Sequence, residues 1–204
     1  MPYPPVDELA AAGARRAADP SSGPEAALYS TDERQFLLSV ARQAIDAALE
    51  KRAFYPEALT ARVAEPRGVF TTLHLGEELR GCVGQIVATE PLVRAVAQTA
   101  VSAAFNDPRF PPLAAAELPL VRIELSVLSP LEPIRPEQIE IGRHGLFVML
   151  GERRGLLLPQ VAGEYGWDAA TFLAQTCRKA GLPPDAWSMP GAQLFGFTAE
   201  LFGE

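Results

Sequence analysis

The sequence contains few of the residues that most often carry out chemistry in proteins. It has two cysteines, Cys82 and Cys177, and two histidines, His74 and His144, each pair widely separated along the chain. Such spacing builds neither a disulfide framework nor a zinc motif, and neither histidine lies in an H-E-x-x-H pattern. We therefore expect no metal ion, and the missing disulfide framework favours a reducing compartment, the cytoplasm.

Several larger patterns are missing as well. No G-x-x-x-x-G-K-[ST] loop is present to hold phosphates and no G-x-G-x-x-G follows a predicted strand, so the sequence predicts no nucleotide and no other cofactor. No stretch approaches the roughly 18 apolar residues that span a bilayer, and Met1–Pro5 does not begin a secretory signal. With 25 acidic against 18 basic side chains, the net charge of -7 argues against DNA binding. We expect neither a membrane nor DNA as a partner.

The composition that remains is that of a globular protein, with 204 residues of which 48% are hydrophobic and 21% charged. Residues 1–28 are rich in alanine, proline and glycine and carry almost no large aliphatic side chains, so we predict a flexible N-terminal lead-in there. We place the folded domain at residues 29–204.

Hydrophobic periodicity predicts the order of helices and strands in that domain. Ser30 and Glu33 have the spacing of a helix capping box, and Asp168 and Gly181 suit the two ends of a later helix. The predicted helices cover residues 30–52, 91–105 and 168–180, and the predicted strands cover residues 68–75, 78–86, 121–127, 145–150, 155–158 and 193–202. Hairpins with interspersed helices indicate an α+β fold with an antiparallel-dominated sheet and flanking helices.

The segment Leu79–Gln85, with the sequence Leu-Arg-Gly-Cys-Val-Gly-Gln, contains the only credible nucleophile. A thiol becomes reactive when a nearby cation stabilises the thiolate, and Arg80 lies two positions from Cys82. The competing hypothesis is that Cys82 is a small buried side chain of the core.

The register of the predicted hairpin decides between these hypotheses. A two-residue turn at residues 76–77 places Thr71 opposite Cys82 and the thiol on the buried face, away from His74. A three-residue turn instead places Thr72 opposite Cys82 and assembles a cluster of the thiol with His74 and the arginine. We favour the two-residue turn.

Two glycines and a proline-rich loop complete the candidate binding residues. Gly81 and Gly84 either mark close packing of a helix against the strand or leave bare backbone that admits a ligand or partner. In the loop, Asp107 and Arg109 either clamp the turn with an ion pair, which we favour, or form a binding surface together with Phe110. The full candidate set for binding is Arg80, Gly81, Gly84, Asp107, Arg109 and Phe110.

Four motifs stand out in order along the chain: Leu79-Arg-Gly-Cys-Val-Gly84, Phe105-Asn-Asp-Pro-Arg-Phe-Pro-Pro112, Gly155-Leu-Leu-Leu-Pro-Gln-Val161 and Thr176-Cys-Arg-Lys-Ala-Gly-Leu182. Together they resemble the AMMECR-type domain family, also called AmmeMemoRadiSam system protein A. The resemblance extends from about Tyr29 to the last residue. It implies a two-part α+β domain and an association with a Memo-type protein and a radical-SAM enzyme, but it implies no reaction.

Two functions from different classes fit these residues. The first, which the resemblance favours, is an accessory or scaffold module that binds a Memo-type or radical-SAM partner protein without catalysis of its own. The second is an enzyme that uses Cys82 as a nucleophile or redox centre, and RNA binding is a distant third. The enzyme requires an accessible thiol of low pKa, whereas the module requires an exposed apolar or aromatic patch. The sequence leaves the oligomeric state open.

Overall fold

The computed structural model describes residues 27–204, which form helices and antiparallel sheets and so confirm the predicted α+β class. The predicted lead-in, residues 1–28, lies outside the described residues except for its last two. The described chain divides into two units, one made of residues 27–128 with Glu200–Glu204 and the other of Ser129–Ala199. Among the helices of residues 27–204, none has the length and apolar character needed to cross a bilayer.

The helices and strands occur in the following order. The helices are α1 (Thr31–Leu49), α2 (Ala61–Ala64), α3 (Leu92–Phe105), α4 (Pro159–Glu164) and α5 (Ala169–Lys179). The strands are β1 (Val69–Leu75), β2 (Glu78–Gln85), β3 (Val121–Leu128), β4 (Glu132–Pro133), β5 (Gly145–Leu150), β6 (Arg153–Leu157), β7 (Gln193–Phe197) and β8 (Ala199–Gly203). Sequence periodicity did not predict the short elements α2, β4 and α4.

The first unit is a four-stranded sheet, in the order β2-β1-β3-β8, with helices on one face. Helix α1 begins at the predicted capping box, where the Glu33 N–H donates to Ser30 Oγ at 3.2 Å and the Ser30 N–H donates to Glu33 Oε2 at 2.9 Å. Helix α3 packs on β1 and β2, and its Thr99 hydroxyl hydrogen-bonds to the Thr71 hydroxyl at 2.8 Å. The helix-facing side of the sheet is therefore covered by α3, and the Thr71 hydroxyl on that side has a hydrogen-bond partner.

The hairpin of β1 and β2 has the predicted two-residue turn but not the predicted register. Leu75 pairs with Glu78 across the turn, as a two-residue turn requires. A β-bulge at Arg80 then shifts the pairing by one, so that Thr72 lies opposite Cys82. The prediction that Cys82 shares the buried helix-facing side was therefore wrong, because the inserted residue moves every later side chain of β2 to the other face.

The second unit is a four-stranded sheet in the order β4-β7-β5-β6, against which α5 packs. The predicted caps of α5 are present: the Thr171 N–H donates to Asp168 Oδ1 at 2.8 Å, and Gly181 follows the helix with a φ of +68°. Gly155 allows close packing on the helix, because a Cβ there would lie 2.5 Å from the Ala180 nitrogen.

The predicted strand over residues 193–202 is two strands that belong to different sheets. The chain changes sheet at Thr198, whose N–H donates to Ser129 Oγ at 2.9 Å and whose carbonyl accepts from the Ser129 N–H at 2.9 Å. Periodicity could not reveal this break, because β7 and β8 are separated by a single residue.

Candidate functional site

The bulge residue Arg80 is buried and ties β2 to the loop that follows α3. Its guanidinium donates to both carboxylate oxygens of Glu117, at 2.8 and 3.1 Å, and to the carbonyls of Pro111 and Pro112, at 2.9 and 3.4 Å. The hydrogen bonds from Arg80 and from the Ala114 N–H hold the pKa of Glu117 below its usual value. Arg80 therefore binds the loop and contacts no thiol.

Asp107 and Arg109 bind the outer edge of β2 at Cys82. The Cys82 N–H donates to Asp107 Oδ2 at 2.9 Å, and an Arg109 N–H donates to the Cys82 carbonyl at 3.2 Å. Arg109 also forms an ion pair with Asp107 at 2.7 Å. Burial raises the pKa of Asp107, but the hydrogen bonds from Arg109 and Cys82 outweigh that effect and lower it. We call Arg80, Asp107, Arg109 and Glu117 the edge lock.

The two glycines of the Leu79–Gln85 segment, Gly81 and Gly84, lie against other atoms of the first unit. A Cβ on Gly81 would lie 2.2 Å from the Ala103 carbonyl oxygen of α3, and a Cβ on Gly84 would lie 2.2 Å from the Phe70 ring. Close packing therefore accounts for the absence of a side chain at both positions.

Arg109 is the exposed member of the edge lock, and it contacts the adjacent residue Phe110. The Arg109 guanidinium carbon lies 5.4 Å from the centre of the Phe110 ring, and 29% of the arginine side chain is exposed. Such stacking orients both side chains and adds a cation–π attraction. Of the six predicted binding residues, Arg109 is exposed and Phe110 is half-buried, and both have chemistry suited to a partner.

The Cys82 thiol lies on the sheet face opposite the helices and is half-buried. The Thr72 hydroxyl donates to its sulfur at 3.4 Å. Burial raises the pKa of the Cys82 thiol, and the opposing influences of Thr72 and Arg109 do not cancel this rise. The thiol is therefore protonated at neutral pH, unlike the activated nucleophile of the enzyme hypothesis.

Register places further ionisable groups on this face. Thr72 lies opposite Cys82 on one side and Glu124 on the other, and His74, two residues along β1, lies opposite Arg122. Residues directly opposite in a ladder share a face, so these five side chains do too. We call Thr72, His74, Cys82, Arg122 and Glu124 the polar face.

The ionisation of the polar face is perturbed at two further residues. Burial raises the pKa of Glu124 to about 7, although Arg122 opposes the rise. Burial and the charge of Arg122 lower the pKa of His74, which is therefore neutral at pH 7. Sequence analysis did not select Glu124, because only the pairing of three strands places it opposite Thr72.

The polar face contains a cysteine, a histidine and a glutamate, which are residue types that can bind metal ions. Within residues 27–204, however, no group of three or more histidine, cysteine, aspartate or glutamate side chains could hold one.

A family model and curated relatives both match most of the chain. The family model AMMECR1 matches residues 38–202. The protein MK0488 of Methanopyrus kandleri is 47% identical over 184 residues, which cover 85% of this chain and 89% of the relative. The protein MJ0810 of Methanocaldococcus jannaschii is 42% identical over 186 residues, which cover 87% of this chain and 92% of the relative.

A solved structure shares the fold. The crystal structure of the uncharacterized protein PH0010 from Pyrococcus horikoshii superposes with a TM-score of 0.78 at 41% identity, covering 86% of this chain and 93% of that one. The names of these three relatives state no ligand, partner or reaction.

Proposed function

Because this chain belongs to the AMMECR1 family, we propose that it is an accessory module that binds a Memo-type protein or a radical-SAM enzyme and has no catalytic activity of its own. The partner classes come from the resemblance of its four motifs to AmmeMemoRadiSam system protein A. The binding surface is the exposed Arg109 together with the half-buried Phe110.

The observation that carries this proposal is the edge lock. Two arginines and two carboxylates hold one loop against the edge of β2, through the Arg80–Glu117 contact and the contacts of Asp107 and Arg109 with Cys82. A loop held in this way presents Arg109 and Phe110 with little conformational freedom left to lose on binding. Arginine and aromatic side chains are also the usual anchors of protein interfaces.

Catalysis by Cys82 has less support from the site. A nucleophilic cysteine needs a thiolate, and the burial of Cys82 stabilises the neutral thiol instead. The nearby arginines are paired with carboxylates: Arg80 with Glu117 and Arg109 with Asp107. The geometry therefore favours binding over covalent chemistry.

The test is a binding measurement with the full chain immobilised and with the Memo-type protein and the radical-SAM enzyme of the same organism as separate analytes. We expect one of them to bind, and we expect Phe110→Ala to weaken that binding about tenfold or more. The control is Leu120→Ala, which removes an apolar side chain that is 68% exposed and lies outside the edge lock. The control should bind like the unmodified chain.

Two results would refute the proposal. One is that neither protein binds the unmodified chain, or that Phe110→Ala and Leu120→Ala bind equally well. The other is turnover of a substrate by the purified chain that Cys82→Ser abolishes while the variant remains folded.

A further inference from the structure

The polar face contains hydrogen-bonding groups that the protein itself does not use. His74 is only 4% exposed, yet its Nδ1 atom has no hydrogen-bond partner among the described residues. The Glu124 carboxyl is half-buried, and within residues 27–204 it accepts no hydrogen bond and forms no ion pair. Buried polar groups are nearly always paired, so the unpaired Nδ1 atom of His74 needs an explanation.

Arg122 and Glu124 of the polar face have opposite charges and a short, defined spacing. Arg122 and Glu124 lie two residues apart on one face of β3, which separates their Cα atoms by about 6.6 Å. They are not bonded to each other, and among the described residues the Arg122 guanidinium forms no ion pair. Arg122 is at the exposed end of the row, while Thr72, opposite Glu124, is 4% exposed. A cation therefore lies at the rim and a carboxyl further in.

From this arrangement we propose that the polar face binds a small amino acid zwitterion, with the ligand carboxylate on Arg122 and the ligand ammonium between Glu124 and His74. A guanidinium suits a carboxylate because its planar N–H groups can donate two parallel hydrogen bonds. An ammonium donates three hydrogen bonds and needs acceptors, which the Glu124 carboxylate and a neutral imidazole nitrogen provide. Thr72 and Cys82 form the uncharged wall beside them.

The state of Glu124 supports this assignment. Its pKa of about 7 means that burial without an adjacent counter-charge makes the carboxylate costly. A bound ammonium supplies that counter-charge and leaves Glu124 ionised. Arg122 alone does not, since its charge lowers the pKa of Glu124 without restoring the usual value.

The experiment is calorimetric titration of the full chain with L-alanine, propionate and ethylamine as probes. L-Alanine carries both charges, propionate carries only the carboxylate and ethylamine carries only the ammonium. We expect saturable binding of L-alanine, and binding at least about tenfold weaker for each half-ligand, because each lacks one charged hydrogen-bonded contact.

Variants separate the polar face from the rest of the surface. Glu124→Gln keeps the size of the side chain but loses the charge, and we expect it to weaken L-alanine binding about tenfold or more. Arg122→Gln should do the same, and it provides the test if Glu124→Gln does not fold. The controls Glu78→Gln and Arg94→Gln change exposed charges outside the polar face and should leave binding unchanged.

Three results would overturn the inference: no binding of L-alanine to the unmodified chain, propionate or ethylamine binding as tightly as L-alanine, or binding that the polar-face variants alter no more than the controls do. None of these depends on a partner protein. They therefore leave the proposed role of Arg109 and Phe110 to its own test.

Discussion

The edge and the face of the β1–β2 hairpin use polar residues in opposite ways. On the edge, Arg80, Asp107, Arg109 and Glu117 are paired, and they bind backbone groups of β2 and its neighbouring loop. On the face, the described residues offer no hydrogen-bond partner to the buried His74 Nδ1 atom or to the half-buried Glu124 carboxyl. Paired charges stabilise a fold, whereas unpaired buried groups destabilise it and are retained where a site requires them. The comparison predicts that the edge lock stabilises the domain and that the unpaired groups of the polar face destabilise it.

The largest effect should come from breaking the edge. We expect Arg80→Met to lower the free energy of unfolding by about 3 kcal/mol, because it leaves Glu117 without its counter-charge and two proline carbonyls without their donor. Chemical denaturation monitored by circular dichroism measures the change. The control Arg94→Met removes an exposed arginine from α3 and should change stability by less than about 0.5 kcal/mol.

If Arg80→Met and Arg94→Met proved equally stable, the Arg80–Glu117 contact would be a surface ion pair of little weight. The double variant with Glu117→Gln sharpens this result, since its loss should be smaller than the sum of the two single losses.

A smaller effect of opposite sign should come from the face. The pKa of Glu124 is about 7 in the folded chain against a usual 4.5, so between these values the folded state holds more protons than the unfolded state. Stability therefore falls as the pH rises through that window. Glu124→Gln does not titrate, and because the side chain is partly screened by solvent we expect it to be more stable than the unmodified chain by about 1–2 kcal/mol at pH 8.

At pH 4 the same variant should match the unmodified chain, because Glu124 is then protonated in both states. Thermal unfolding at the two pH values, with Glu78→Gln as the control, tests whether Glu124→Gln raises or lowers stability. A variant that is less stable at pH 8 would show that Glu124 is stabilising and that the contrast between edge and face fails.

The smallest effect should be at Cys82, where edge and face meet. We expect Cys82→Ala to cost about 1 kcal/mol of stability, since it removes one small, half-buried group. In the unmodified chain, the thiol should react with iodoacetamide more slowly at pH 7 than a free cysteine does, because burial raises its pKa. Mass spectrometry distinguishes its alkylation from that of Cys177. Fast alkylation of Cys82 in the folded chain would support the hypothesis that Cys82 is a catalytic nucleophile.

Local sequence was sufficient for most elements of the fold. The capping box of Ser30 and Glu33, the cap at Asp168 and the left-handed Gly181 all concern neighbouring residues, and all are present as predicted. The antiparallel α+β class follows from hairpins whose two strands are adjacent along the chain. Local patterns failed at Thr198, where one apparent strand belongs to two sheets.

The sequence predicted part of the edge lock but not the polar face. The preferred clamp of Asp107 and Arg109 is present, and Gly81 has the close helix packing considered for it, whereas Gly84 packs against the Phe70 ring of the neighbouring strand. The polar face was not visible, because its composition depends on a one-residue bulge and on a third strand that begins thirty-six positions after Gln85.

The amino-acid sequence alone was enough to specify the three long helices, the hairpin turns and the family resemblance, since these depend on side chains close together along the chain. Only the folded structure decided which face Cys82 occupies and that Glu124 lies on the same face, on the other side of Thr72. The physical reason is that strand side chains alternate with a period of two, so a single bulge exchanges the faces and the pairing partner determines the surroundings. Burial, which perturbs the ionisation of Cys82, His74 and Glu124, is likewise a property of the assembled sheet.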